Sequence, residues 1–258
     1  MLYFQNWSGG KDSTASIILE HIYGLPQSKI IMSEVMFDKK RNISGELPEH
    51  MDWVHNTAIP LFRSWGYEVE ILYSDYDYLD LFYHIIRNSK KPYRNGKYNG
   101  FLIGGKCVAN NYIKVGALKK FFKKINQDHI KYVGIAADEP KRLERLQGTN
   151  KVSLLEKYGY TEQMAYDLCK KYGLLSPIYN FSKRGGCWFC PNATIKEYAH
   201  IKSEYPELWE ELRNLSFSEN LVSQGFKYGK TFAEVDRDVD IYLNNLEFEK
   251  SQLTLFNN

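Results

Sequence analysis

The residues Ser8-Gly9-Gly10-Lys11-Asp12-Ser13-Thr14 are of types that bind phosphate, and they directly follow the first apolar stretch, residues 2–7. A glycine-rich turn between a strand and a helix aims backbone N–H groups and a positive helix end at one point, where an anion is the usual guest. Gly9 and Gly10 allow positive φ and close approach of the backbone to that anion. Ser8, Ser13 and Thr14 add hydroxyls, and Lys11 adds charge. The pattern is not a Walker A loop, in which the lysine is followed by Ser or Thr, because Asp12 follows Lys11. The plainer alternative is a helix start with incidental glycines.

A second set of chemistry-bearing residues is Gly134-Ile135-Ala136-Ala137-Asp138-Glu139-Pro140-Lys141-Arg142-Leu143-Glu144-Arg145. Arg142 and Arg145 can clamp a phosphate or sulfate through paired N–H groups. Asp138 and Glu139 can orient a metal or a ribose hydroxyl. The competing reading is an ordinary helix start, with acids near its positive end and bases on a solvated face. A third set is Cys187-x-x-Cys190 in a glycine-rich turn, a spacing that lets two thiolates reach one metal. Cys107 lies eighty residues before Cys187, just after Gly104-Gly105-Lys106, and Cys169 lies in the helix that precedes the turn. A cysteine such as Cys169, between Leu168 and Tyr172, is also an ordinary small core residue. The six histidines show no metal spacing and receive no role.

The elements that must position these residues alternate in type. Strands are expected at residues 2–7, 29–38, 67–73 and 130–136, and helices at 12–23, 47–65, 78–87, 110–125 and 161–172. Alternation of this kind argues for an α/β fold, a doubly wound and mainly parallel sheet covered on both faces. Residues 1–181 form the expected nucleotide-binding domain, and 182–258 a small cysteine-containing, mostly helical C-terminal extension. Ligands of open parallel sheets bind beyond the carboxyl ends of the strands. One shared site is therefore expected at the Ser8 loop, the residues after Phe37 and those after Ile135.

Composition sets the limits. The 258 residues are 43% hydrophobic and carry a net charge of +3, enough for a sizeable core and too mildly basic to argue by itself for nucleic acid. No apolar run reaches membrane-spanning length, and four unevenly spaced cysteines do not suit a secreted disulfide framework, so a reducing cytoplasm is expected. Residues 88–100 are rich in Lys, Arg, Tyr, Asn and Gly. Arg87, Lys90, Lys91, Arg94 and Lys97 are interleaved with Tyr93, Tyr98 and Phe101, and Lys119, Lys120, Lys123 and Lys124 follow on a helix. Such a mixture can track a phosphate backbone and stack on bases, or can simply be a solvated surface.

The Ser8–Thr14 segment resembles the SGGxDS/T loop of the PP-loop ATP pyrophosphatases, the adenine nucleotide α-hydrolase superfamily. The Gly134–Arg145 segment resembles the Gly-Ile-Arg-x-x-Glu-Ser-x-x-Arg segment of its phosphoadenosine phosphosulfate (PAPS) reductase-like branch, with Ala136 in place of the Arg and Pro140 in place of the Ser. Cys107 and Cys187-x-x-Cys190 are similar to the layout that holds a 4Fe–4S iron–sulfur cluster in adenylyl-sulfate reductases, except that Lys106 stands where a paired cysteine would be. Cys169 can complete a set of four thiolates, and such a set accepts zinc as readily as a cluster. The resemblance covers roughly residues 2–192. It implies a PP-loop, Rossmann-like fold that binds Mg·ATP and adenylates an acceptor, with adenine held near the end of the second strand, where Asp38 lies. It places Ser8, Gly9, Gly10, Lys11, Asp12, Ser13, Thr14, Asp38, Gly134 and Arg145 at the nucleotide and Lys11, Asp12, Glu139 and Arg142 at the chemistry. Cys107, Cys169, Cys187 and Cys190 become the metal ligands.

One departure decides between activities. PAPS and adenylyl-sulfate reductases attack sulfur with a cysteine in a C-terminal Glu-Cys-Gly-x-His segment, and no cysteine follows Cys190 here. The leading expectation is therefore ATP-dependent adenylation serving sulfur transfer, with tRNA or DNA as a candidate acceptor and a sulfur donor or thioredoxin-like protein as partner. A sulfonucleotide reductase using Cys187 or Cys190 is the second expectation. A non-catalytic nucleotide- or nucleic-acid-binding subunit is the third. A homodimer is allowed, and no membrane partner is expected.

Overall fold

The computed structural model describes residues 1–103, 107–183 and 185–256. The chain divides into two compact units. The first comprises Met1–Met36, Glu46–Asp75 and Tyr112–Gly185; the second comprises Phe37–Gly45, Tyr76–Asn111 and Gly186–Asn258. The expected division near residue 181 lies close to one of these boundaries, but residues 37–45 and 76–111 group with the C-terminal segment.

The first unit is an α/β structure around a five-stranded parallel sheet. Its strands are β1 (Leu2–Trp7), β2 (Lys29–Glu34), β5 (Val69–Tyr73), β6 (His129–Val133) and β7 (Lys151–Val152), in the spatial order β5-β2-β1-β6-β7. The central strand β1 places Asn6 beside Ile31 and Val133. Its alternation divides the core. Trp7 packs against Trp53 and Phe62 on one face, joined in that cluster by Ile18, Leu19, Ile30 and Met32. Phe4 packs edge-on against Phe121 and Phe122 on the other. Both faces are thus covered by helices, as a parallel sheet requires.

A buried polar set ties β1 to the first helix, Lys11–Ile22. The Glu20 carboxylate is fully buried and accepts from Gln5 Nε2 (2.7 Å), the Ser28 amide (2.7 Å) and the Ser28 hydroxyl (2.8 Å). A buried carboxylate persists only with donors of this kind.

Several expected elements are shorter or broken. The strand expected over 29–38 stops at Glu34, and β3 (Met36–Asp38) pairs instead with β4 (Ile43–Ser44) in a separate small sheet. The helix expected over 47–65 runs as Pro48–Trp53 and Ile59–Ser64 with a π turn at Val54–Ala58 between them. The widened turn ends two residues before Pro60, which has no N–H to donate. The helix expected over 78–87 ends at Phe82, after a capping box between Asp77 and Asp80. In the second unit the C-terminal segment holds helices Ile195–Glu204, Pro206–Ser216 and Phe232–Phe256 and the antiparallel pair β8 (Gly225–Lys227) and β9 (Lys230–Thr231). Among the described residues, no helix is long and apolar enough to cross a membrane.

Candidate functional site

The strongest candidate lies where β1 ends. Trp7 is buried, and its indole N–H donates to the Thr14 hydroxyl at 2.9 Å, so Thr14 is a fully buried strut. Ser13 is also buried; its hydroxyl accepts from the Ser8 amide (3.1 Å) and donates to the Gly10 carbonyl (3.0 Å). These two hydroxyls hold the turn closed. The Ser8 side chain lies on the exposed side, 3.1 Å from Ser13 Oγ. Gly9 has φ +72°, the left-handed conformation that glycine alone adopts without strain. Gly10 caps the helix in extended conformation, with no side chain capping it. The helix therefore opens with its positive end at the turn.

Three tertiary contacts fix this geometry. A Cβ on Gly9 would stand 2.5 Å from Cε1 and Nε2 of His50, so the imidazole is packed directly against the turn. His50 is buried, its Nδ1 lies 2.8 Å from the Ser176 hydroxyl, and burial lowers its pKa, which favours the neutral ring. A Cβ on Gly134 would stand 2.3 Å from the Ser13 amide nitrogen and 2.6 Å from the Asp12 carbonyl carbon. Gly134 thus lets the helix start seat on the chain beyond β6. The third contact comes from Tyr179, whose hydroxyl accepts from the Lys11 amide at 2.8 Å.

Lys11 stands among acids. Its ammonium group lies 2.8 Å from Asp12 and 2.9 Å from Glu162, with its side chain 12% exposed. Burial works against its charge, but the Asp12 and Glu162 hydrogen bonds outweigh that and hold Lys11 above the ordinary lysine range. Burial, together with repulsion from Glu162 and Glu139, holds the Asp12 carboxyl above the ordinary range against the pull of Lys11. Glu139 accepts from the Ala136 amide (3.1 Å) and from Arg142 (2.5 Å). Asp138 accepts from the Glu162 amide at 3.1 Å. Arg145 is exposed, in the short turn Glu144–Leu146. Lys11, Asp12, Glu139 and Gly134 thus come together at the turn, joined by His50, Ser176, Tyr179 and Glu162.

Asp38 belongs to the second unit. It accepts from the Lys40 and Arg41 amides (2.8 and 3.2 Å) and from Arg41 Nε (2.6 Å). Burial opposes its charge, yet the Arg41 hydrogen bonds hold it below the usual carboxylate range. Arg41 in turn forks onto Glu211 at 2.6 and 2.8 Å, so Asp38 anchors a turn of that unit.

All four cysteines are thiols. Cys169 belongs to the first unit, where it is fully buried and donates to the Lys11 carbonyl at 3.2 Å; burial pushes its pKa up to about 12. Cys107, Cys187 and Cys190 belong to the second unit. There burial raises the pKa of the Tyr78 hydroxyl, and all three thiols act electrostatically on it, so they approach one phenol. Four thiolates therefore do not assemble within either unit. Among the described residues, no group of three or more His, Cys, Asp or Glu side chains is placed to hold a metal ion. Gly104, Gly105, Lys106 and Arg184 lie outside the described residues. No protein-family model matches this chain, and no curated protein matches it.

Proposed function

We propose that the chain is an adenine-nucleotide-binding enzyme of the PP-loop type, using Mg·ATP to adenylate an acceptor with release of pyrophosphate. The observation that carries this reading is the helix start behind Gly9, which has no side-chain cap from Gly10, with Asp12 and Glu162 on Lys11 and Glu139 acting on Asp12. An anion alone would meet three carboxylates at this turn. An anion that arrives with a divalent cation would find their charge compensated and Lys11 released to its phosphates. Magnesium suits this donor set, because it binds through one or two carboxylates and completes its shell with phosphate oxygens and water.

In this mechanism an acceptor oxygen attacks the α-phosphorus, and the bond from the α-phosphorus to the bridging oxygen breaks. Pyrophosphate leaves with that electron pair, and the acceptor proton passes to solvent. Lys11 and the positive end of the helix stabilise the charge that grows on the leaving group. Asp12 and Glu139 would hold the cation, and the resemblance would put Arg145 at an outer phosphate. His50 and Tyr179 keep the turn in shape and take no proton. Sulfur transfer from a donor protein, displacing AMP, is the second step that the resemblance to the PAPS reductase-like branch suggests. Cys107, Cys187 and Cys190 offer sulfur donors for iron or zinc, but the adenylation step does not depend on them, and the buried, protonated Cys169 is a packing residue under the loop.

Pyrophosphate release from Mg·ATP by protein purified without oxygen, with RNA and DNA as acceptors, tests the proposal. Release that disappears in Lys11→Ala is expected. Sulfite release from PAPS or adenylyl sulfate with thioredoxin, and no pyrophosphate from ATP, would overturn it in favour of a reductase.

A further inference from the structure

Between Asp80 and Asp128 the sequence contains no Asp or Glu, where the chain average would place about six, and it carries eleven Lys or Arg. Five of these, Arg87, Lys90, Lys91, Arg94 and Lys97, fall in residues 83–100 of the second unit. This segment is an ordered hairpin. Ile86 and Lys97 pair at 2.8 Å (N to O), Gly96 and Ile86 at 3.0 Å, and Asn99 and His84 at 3.1 Å. The hairpin is pinned from outside by the Tyr98 amide on the Asn220 carbonyl (3.0 Å), the Val222 amide on the Tyr98 carbonyl (2.9 Å) and Asn220 Nδ2 on the Gly96 carbonyl (3.0 Å). Its tip is closed by the Ser89 amide on Asn95 Oδ1 at 2.7 Å and a short turn at Pro92–Arg94.

Several cations elsewhere in the chain are neutralised by acids. Lys11, Lys29, Arg41, Lys114, Lys120, Lys202, Arg213 and Lys230 each form an ion pair. Among the described residues, none of the five hairpin cations does. Aromatic rings accompany them: Tyr93 at the tip is 63% exposed, and Tyr83 at the base is 41% exposed. Tyr83 Oη lies 3.1 Å from Ser218 Oγ, which brings the 73%-exposed Phe217 to the same base. Cations without counter-ions on a rigid frame, interleaved with open ring faces, match a backbone of phosphates carrying bases free to stack.

We propose that this hairpin is a docking surface for single-stranded nucleic acid. The strand's phosphates lie along the five cations, and unpaired bases stack on Tyr93, Tyr83 and Phe217. A duplex keeps its bases stacked inside and leaves these rings unused. The surface rests on the proposed enzymatic activity only for its purpose, as the place that holds a polynucleotide acceptor; its binding needs no ATP.

The test is fluorescence anisotropy on the full chain without nucleotide, using an unstructured DNA strand of about twenty nucleotides and the matching duplex. If all five cations engage phosphates, raising salt from about 50 to 200 mM should weaken binding about a hundredfold. Lys90→Ala/Lys91→Ala/Arg94→Ala leaves two of the five, and the same salt step should then weaken binding only about sevenfold. Tyr93→Ala should weaken strand binding about tenfold or more with the salt slope unchanged. Lys170→Ala/Lys171→Ala, on an exposed helix end of the first unit, and Lys11→Ala should both bind as the unaltered chain does, which separates this proposal from the one for ATP. No strand binding at low salt, an unchanged slope in the triple variant, or equal affinity for the duplex would each overturn it.

Discussion

Replacing Gly9 by alanine tests the architecture of the turn at its tightest point. The φ of +72° costs an L-residue about 1–2 kcal/mol. The added methyl would also stand 2.5 Å from two atoms of the His50 ring, which is buried and held by Ser176, so it cannot swing clear. Overpacking of this kind costs about 1–3 kcal/mol. Gly9→Ala should therefore destabilise the first unit by about 2–5 kcal/mol. In a His50→Ala background the clash is absent and only the backbone strain remains, so the same substitution should cost about 1–2 kcal/mol. Urea unfolding followed by hydrogen exchange in peptides covering β1 and β2 reports on this unit directly. An equal cost in both backgrounds would show that the ring does not press on the turn. A cost under about 0.5 kcal/mol in the unaltered chain would refute the left-handed turn itself.

The other glycines should rank by what surrounds them. Gly134→Ala forces a methyl into the backbone of Asp12 and Ser13, which cannot yield as a side chain tip can, and it should cost about 3 kcal/mol or more by urea unfolding. Gly10→Ala meets only Ser8 Oγ at 3.4 Å and Tyr179 Oη at 3.6 Å, and it should stay within about 1 kcal/mol of the unaltered chain. Cys169 should resist alkylation at pH 8 until the chain unfolds, while the exposed Cys107 reacts first, as mass spectrometry of tryptic peptides can show. Because folding raises the Cys169 pKa, its contribution to stability is whole below the unfolded value of about 8.5 and is lost as pH climbs towards about 12. Cys169→Ala should flatten that alkaline decline in thermal melts, and an unchanged decline would contradict it.

Much of this is legible in residue types. The run from Leu2 to Trp7, the glycines after it and the polar-apolar spacing of residues 11–22 announce a strand, a turn and a helix, because each is a local property of the chain. The parallel sheet follows from alternating strands and helices. The break after Glu34 does not show, because apolar residues flank Ser33 and Glu34 on both sides and the change of sheet at Val35 depends on pairing with Ile43–Ser44. Asp38 therefore reads as the end of one long strand when it ends the short β3 and anchors the turn that follows. The partners of the loop are equally hidden. Glu162 looks like an ordinary acid in a first helical turn, and it is one, but it also meets Lys11 across 151 positions. His50 carries no motif, and only the missing Cβ of Gly9 gives it a place. Cys169 could have been placed from its helix, where Ala165, Leu168 and Cys169 form the buried stripe. The basic character of residues 83–100 is plain in the sequence, whereas the hairpin that orders it depends on residues 218–222.

The central claim is that the turn after β1 holds the phosphates of a nucleotide. Calorimetric titration of the chain with Mg·ATP, adenylyl sulfate and PAPS, each repeated on Lys11→Ala, tests it most directly. Removing one charge-assisted contact of about 1.5–3 kcal/mol should weaken Mg·ATP binding by about tenfold to a hundredfold, and Mg·ATP should bind more tightly than the sulfonucleotides. Binding of Mg·ATP that is absent, or that Lys11→Ala leaves unchanged, would contradict the account.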